Sequence, residues 1–336
     1  MIREAINTLI QNKDLSEQEM IDAMRDIMEG KATDAQIASF LTALRIKGET
    51  VEEITGAATV MREKVTSIRA PEMTVDTCGT GGDMAHTFNI STTTALVAAA
   101  CGVPVAKHGN RSVSSSCGSA DVLEALGIKI DLEPQKVEKC LASTGFGFMF
   151  APLFHPAMKY AIGPRKEMGI RTVFNILGPL TNPAGAKRQV MGVFSDELTE
   201  PLAHVLRNLG VKHAFVVHGE DGLDEITNTD KTKVSEVKDG TVKTYFITPE
   251  NLGFEKAKKD DLAGGTAQDN VSITMGILSG EKGPKRDIVL MNAAAALVVG
   301  DKAGTFGEGV EMASTAIDSG AALKKLEEVK AVSNTL

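Results

Sequence analysis

Over the first seventy residues apolar side chains recur at helical spacing, and each set starts at a recognisable cap. Ser16…Glu19, Thr33…Gln36 and Thr50…Glu53 are capping boxes, in which a hydroxyl and a side chain three residues on satisfy each other's free N–H groups. Behind these boxes Met20, Met24, Ile27 and Met28 share one face. The same holds for Ile37, Phe40, Leu41 and Leu44, and for Ile54, Ala58, Met61 and Val65. Gly30 and Gly48 stand where C-terminal caps belong. The pattern predicts a small helical bundle whose faces form its own core or a dimer contact.

After Pro71 the texture changes. Short β-like runs at 73–77, 103–106, 128–130, 146–150, 189–194 and 214–217 alternate with helical patterns at 92–100, 120–126, 134–143 and 198–209. That alternation predicts an α/β fold with a mostly parallel central sheet flanked by helices. Residues 232–247 read as a hairpin turning at Asp239-Gly240, and 286–330 as further helices. The stretch 162–185 breaks the alternation and reads as helix, turn, helix, loop. It is expected to leave the sheet and pack on the N-terminal helices. A ligand cleft between two such layers is a common arrangement.

Composition narrows the function. A chain of 336 residues with net charge −8 is no general nucleic-acid binder, though basic residues gathered at one site can still hold an anion. Cys78, Cys101, Cys117 and Cys140 are widely spaced with no CxxC pair, which suits a reduced cytoplasmic protein. The opening segment is interrupted by Arg3, Asn7 and Gln11, and the longest apolar run, 95–101, is too short to span a bilayer. No membrane partner is expected.

Four segments carry candidate chemistry. Val75–Asp83 runs from a strand into a loop with three glycines in four residues, whose main-chain N–H groups can form an anion nest; a tight turn has the same signature. Asn89-Ile90-Ser91-Thr92 opens a helix, as plain caps or as a phosphate site on the helix's free N–H groups. Lys107–Ser116 follows a strand, where open α/β sheets bind ligands, and combines Lys107, His108, Asn110, Arg111 and four serines. Gly222-Leu223-Asp224-Glu225 offers adjacent carboxylates for Mg²⁺ or a simple surface turn. Asp83 is a further anchor for metal or hydroxyl.

Together these segments closely resemble the anthranilate phosphoribosyltransferase family. Asp76–Asp83 (DTCGTGGD), Phe88–Thr92 (FNIST), Lys107–Ser115 (KHGNRSVSS), Asn175–Pro183 (NILGPLTNP) and Gly222–Thr227 (GLDEIT) match its motifs in order, from the N-terminal helices to the C-terminal end. The resemblance implies a nucleoside-phosphorylase-like fold of transferase type, divided into a smaller all-helical domain (1–70 plus about 165–185) and an α/β domain (71–164 and 186–336). It also implies a homodimer formed through the helical domain, and two substrates, anthranilate and 5-phosphoribosyl 1-pyrophosphate. It implies that the phosphoribosyl donor lies on Gly79, Gly82, Asp83, Thr87, Asn89, Ile90, Ser91 and Thr92. Lys107, His108, Gly109, Arg111, Ser112, Val113, Ser114 and Ser115 would close around it, with Ser119 on a phosphate. Mg²⁺ would meet Ser91, Asp224 and Glu225. Asn110 and Arg165 would take anthranilate, Arg165 by its planar fork.

Lys107, His108 and Asp83 are the candidate catalytic residues. Attack by an aromatic amine needs no obligatory protein base, and His108 or the departing diphosphate would accept the proton. A pyrimidine-nucleoside-phosphorylase-like enzyme and a non-catalytic nucleotide-binding relative remain the alternatives.

Overall fold

The computed structural model describes residues 1–83, 85–112 and 117–336. Four helices open the chain: α1 (Ile2–Leu9), α2 (Glu17–Met28), α3 (Asp34–Lys47) and α4 (Val51–Lys64). All three capping boxes form as the sequence predicts. Glu53 does more than cap. Fully buried, it also accepts the Leu15 N–H at 2.9 Å and the Lys47 ammonium at 2.9 Å, which ties α4 to α3 and to the segment just before α2.

The seven strands are β1 (Val75–Gly79), β2 (Val105–Gly109), β3 (Phe146–Phe150), β4 (Arg188–Gly192), β5 (His213–Gly219), β6 (Thr232–Lys238) and β7 (Thr241–Ile247). They form one sheet in the order β3-β2-β1-β4-β5-β6-β7. The first five in that order run parallel, and the β6–β7 hairpin continues the sheet antiparallel from β5. The expected strand at 128–130 does not form. Ile128 and Ile130 are buried, but no strand lies beside them, and the Lys129 N–H finds the Ser333 hydroxyl at 3.1 Å instead.

Helix α5 (Ile90–Ala100) follows β1, and α6 (Ser119–Ala125) and α7 (Pro134–Thr144) follow β2. After β3 come α8 (Ala151–Phe154), α9 (Lys159–Met168) and α10 (Phe174–Leu180), and α11 (Thr199–Asn208) joins β4 to β5. The chain finishes with α12 (Ala267–Leu278), α13 (Pro284–Val299), α14 (Phe306–Asp318) and α15 (Ala321–Thr335). Thirteen of the sixteen residues of α13 are buried, so this helix is covered on nearly all sides.

Two main apolar cores result. One joins α5, α13 and one side of the sheet. The other joins α1–α4 with Ala161 of α9, Phe174 and Leu177 of α10, and α11. Among the described residues no helix is long and apolar enough to cross a membrane.

Candidate active site

Four parallel strands, β1, β2, β4 and β5, end on glycine: Gly79, Gly109, Gly192 and Gly219. Their carboxyl ends share one pole of the sheet, the usual place for a ligand in such folds. Without a Cβ at these ends, loops can press directly onto the strands. A Cβ on Gly79 would stand 2.5 Å from Asp224 Oδ2, and one on Gly192 would overlap the Asp224 carbonyl oxygen. The segment that carries Asp224 therefore crosses the ends of β1 and β4 because both residues are glycine. Gly192→Ala must push that main chain aside. A shift of about 1 Å in a reacting group costs roughly 10²-fold in turnover. We expect a loss of that size with a raised Mg²⁺ requirement, read from initial rates against metal concentration; wild-type values would contradict it.

The glycine loop packs against the same segment. Thr80 donates its N–H to the Gly192 carbonyl at 2.9 Å, and Gly81, at φ 62°, donates its own to Asp224 Oδ2 at 2.9 Å. Gly82, at φ 78°, gives its carbonyl to Arg171, whose guanidinium lies 4.4 Å from the Phe194 ring centre. The main chain of Thr87, Phe88 and Asn89 is held by residues 262–264 and by Asn270 of α12, which accepts the Asn89 N–H at 2.7 Å.

Asn89 is the N-cap residue of α5, but its side chain makes no capping bond. Its buried Oδ1 and the buried Thr92 Oγ1 have no partner among the described residues. The Ser91 N–H reaches Glu225. Plain capping, one of the two readings of this motif, is therefore not what these residues do. A ligand carrying both anionic oxygens and hydroxyl groups suits the Thr92 hydroxyl and the Asn89 amide oxygen at this positive end of the helix.

Lys107 is almost wholly buried. Its ammonium donates to the Thr77 carbonyl at 2.5 Å and to Ser91 Oγ at 3.2 Å. Burial lowers its pKa, and the nearby Asp76 carboxylate opposes that shift. Asp76, buried in β1, accepts from Asn182 Nδ2 at 2.7 Å and from the His108 N–H at 3.3 Å. Neither Asp76 nor Asn182 carried a role of its own in the sequence motifs. Asp76 offsets the charge of the lysine, and Asn182 holds Asp76 in place.

Asp224 and Glu225 are drawn in from the far side. Burial, reinforced by the charge of Asp83, pushes the Asp224 carboxyl up to about 7. Burial and Asp224 hold Glu225 well above the usual carboxylate range, with Lys107 opposing. Gly79–Asp83, Asn89–Thr92, Lys107 and the two carboxyls thus meet in one place.

Two adjacent buried carboxyls, Asp224 and Glu225, suit a cation such as Mg²⁺, which takes one or two carboxylates and fills its octahedron with water and substrate phosphates. Among the described residues no three His, Cys, Asp or Glu side chains come together as a metal cage.

Other expected residues lie elsewhere. Lys107 and His108 point to opposite faces of β2, as neighbours in a strand must. The His108 ring bonds to the Gly178 main chain and to His155, Nε2 to Nε2 at 3.1 Å. Burial, then the charge of His155, lowers His108 to about 3, and burial lowers His155 to about 4. His108 is therefore held neutral near pH 7 by its surroundings, on the face of β2 away from Lys107.

Both histidines carry folded pKa values below the ordinary 6.5. The unfolded chain therefore binds more protons, and their stabilising contribution, complete above pH 6.5, is lost as pH falls towards 3 to 4. For His155→Gln we expect a melting temperature that falls less between pH 7 and pH 5 than in the wild type, by about 3 °C; parallel curves would contradict this.

Arg111 is engaged by α6. It pairs with Asp121 at 3.0 Å and Glu124 at 2.8 Å on α6 and lies 5.8 Å from the Phe150 ring centre. Its guanidinium is thus committed to two carboxylates. The main-chain N–H of Ser112 goes to Asp121 at 3.1 Å, and the Ser119 hydroxyl donates to the Asn110 carbonyl at 3.3 Å. Asn110 itself is exposed at the end of β2. Arg165 lies on α9 with its guanidinium 5.0 Å from the Phe174 ring centre, in the helical layer. Val113, Ser114 and Ser115 lie outside the described residues.

Comparison with known proteins agrees with this geometry. Residues 71–323 match the α/β domain of a glycosyl transferase family, and residues 3–65 match its helical bundle domain. The anthranilate phosphoribosyltransferase of Acetivibrio thermocellus is 60% identical over 337 aligned positions, covering 100% of this chain and 97% of the relative. The crystal structure of the Thermus thermophilus enzyme of that name superposes with TM-score 0.93 at 43% identity, covering 98% of this chain and 99% of that one. The Saccharomyces cerevisiae enzyme in complex with PRPP and Mg superposes with TM-score 0.91 at 29% identity, covering 100% and 98%.

Proposed function

The chain belongs to the anthranilate phosphoribosyltransferase family, and on that premise we propose how its residues divide the work of the reaction. It is a pentosyltransferase of tryptophan biosynthesis: phosphoribosyl pyrophosphate and anthranilate give N-(5-phosphoribosyl)anthranilate and pyrophosphate. The observation that carries the assignment of roles is the meeting of the glycine loop, the uncapped start of α5, and Asp224 with Glu225 at one pole of the sheet.

In this reading Gly79, Gly82, Thr87 and Asn89–Thr92 bind the donor through main-chain N–H and hydroxyl groups. Their dipoles are already oriented, so they neutralise charge without reorganising as the diphosphate leaves. Asp224 and Glu225 hold Mg²⁺ with Ser91 nearby, and Asp83 supports Asp224. When bound, the metal supplies charge to the departing diphosphate oxygens. Lys107 has its ammonium committed to Thr77 and Ser91, so it acts by fixing the start of α5 and balancing the buried carboxyls.

Asn110 and Arg165 hold anthranilate in the cleft between the helical layer and the sheet. The amine forms a bond to the anomeric carbon as the carbon–oxygen bond to diphosphate breaks, with positive charge growing on the ribose as in other glycosyl transfers. The attacking nitrogen then becomes acidic. Its proton passes to the diphosphate rather than to His108, which burial keeps neutral. Catalysis rests on alignment and charge neutralisation.

We further place the protein in the cytoplasm as a homodimer joined through the helical bundle. Ile10, just after α1, and Ile46 in α3 are 67% and 81% exposed on that bundle. Sedimentation tests the dimer. The reaction itself is tested by mixing protein, Mg²⁺, phosphoribosyl pyrophosphate and anthranilate and following the loss of anthranilate fluorescence. Phosphorolysis of thymidine without fluorescence loss would instead favour a nucleoside phosphorylase.

A further inference from the structure

The two carboxylates sit in a segment clamped at both ends, and the clamps come from residues outside the site. At its start Leu223 gives its carbonyl to the Gly219 N–H at 2.8 Å and its own N–H to Asp221 Oδ1 at 3.2 Å. Asp221 is anchored in turn by the hydroxyls of Thr227, at 2.6 Å, and Thr229. At its end Ile226, the residue next to Glu225, is bound by one side chain. Asn292 accepts the Ile226 N–H at 3.0 Å and donates to the Ile226 carbonyl at 2.8 Å. Its second amide hydrogen goes to the Ile288 carbonyl at 2.9 Å, within its own helix.

This amide imitates the two-bond pairing of a neighbouring strand, and it projects from α13, a helix buried over nearly its whole length. Asn292 is 1% exposed. An apolar side chain there would pack equally well against its neighbours, but it would leave a buried N–H and C=O unpaired beside Glu225.

We propose that Asn292 is a positioning residue for the metal site, holding Ile226 so that Glu225 and Asp224 keep the spacing a divalent cation needs. The inference rests on the assignment of those carboxylates to Mg²⁺. Residues that orient metal ligands typically change affinity 10- to 100-fold when replaced.

The test uses the full chain with Mn²⁺ as probe and inorganic pyrophosphate present, and Mn²⁺ binding is read by electron paramagnetic resonance. Asn292→Ala should bind Mn²⁺ at least about tenfold more weakly than wild type. It should also need correspondingly more Mg²⁺ for half-maximal turnover, with the KM for anthranilate unchanged. A folded Asn292→Ala protein that has lost thermal stability but keeps wild-type Mn²⁺ affinity has lost only packing, and the proposal falls. If Asn292→Ala does not fold, Asn292→Ser is judged by the same criterion. Asp224→Asn with Glu225→Gln serves as the reference. If that protein also binds Mn²⁺ like wild type, the metal assignment fails; if only the Asn292 variants do, the positioning role alone fails.

Discussion

Replacing Asp224 by Asn and Glu225 by Gln together should reduce turnover by about 10³-fold while leaving the protein folded. A bound divalent ion stabilises a leaving diphosphate by several kcal/mol, and each 1.4 kcal/mol of barrier is tenfold in rate. The fold should tolerate the change because the two carboxyls already repel each other and resist ionisation. The amides keep the size of the side chains, and the amide oxygen that replaces the Asp224 carboxylate can still accept the Gly81 N–H. Initial rates at limiting and saturating Mg²⁺, with a thermal melt of the same sample, decide the matter. Unchanged activity at limiting Mg²⁺ would remove these residues from the site, and a protein that no longer melts cooperatively would show that their role is structural.

Lys107→Met should damage both stability and chemistry. The substitution removes the cation that offsets the charge of buried Asp76 and takes from the Thr77 carbonyl the ammonium that donates to it. Breaking a buried charge pair by deleting one partner costs about 3–5 kcal/mol. Asp76 would relieve part of that by binding a proton, since burial already raises its pKa. The start of α5 also loses its tether at Ser91 Oγ, so the donor site should loosen and turnover fall by about 10²-fold. Urea unfolding and steady-state rates with varied phosphoribosyl pyrophosphate measure the two effects. A variant as stable and as active as wild type would mean that Lys107 neither balances the carboxyls nor holds the helix.

Much of this arrangement was legible from local sequence because it rests on local rules. The capping boxes at Ser16, Thr33 and Thr50 state their own chemistry within four residues, and all three form. The run at 146–150 became β3 residue for residue, while β1 and β2 extend two or three residues further than expected, to the glycines on which their parallel ladders end. The run at 128–130 failed because a strand needs a neighbour, and periodicity says nothing about neighbours.

The site shows the same division. Asp224 with Glu225, the glycine loop and Asn89–Thr92 carried visible patterns, whereas Asp76, Asn182 and Asn292 act through contacts 66 to 106 residues away in sequence. No short-range signal marks such residues. His108 and Arg111 show that residue type alone does not place a side chain. Their residue types suit an anion, but strand alternation sends the ring of His108 to His155, and the carboxylates of α6 capture Arg111.

The central claim is that one pole of the sheet gathers main-chain amides and two carboxylates around a diphosphate and a divalent ion. A crystal of this protein grown with pyrophosphate and Mn²⁺ tests it most directly, through the anomalous signal of the metal. The account predicts a single strong peak between the carboxyls of Asp224 and Glu225 and the diphosphate, with that diphosphate lying on Gly79–Asp83 and the first turn of α5. A peak away from both carboxyls, or a diphosphate seated on Arg111 and α6, would contradict it.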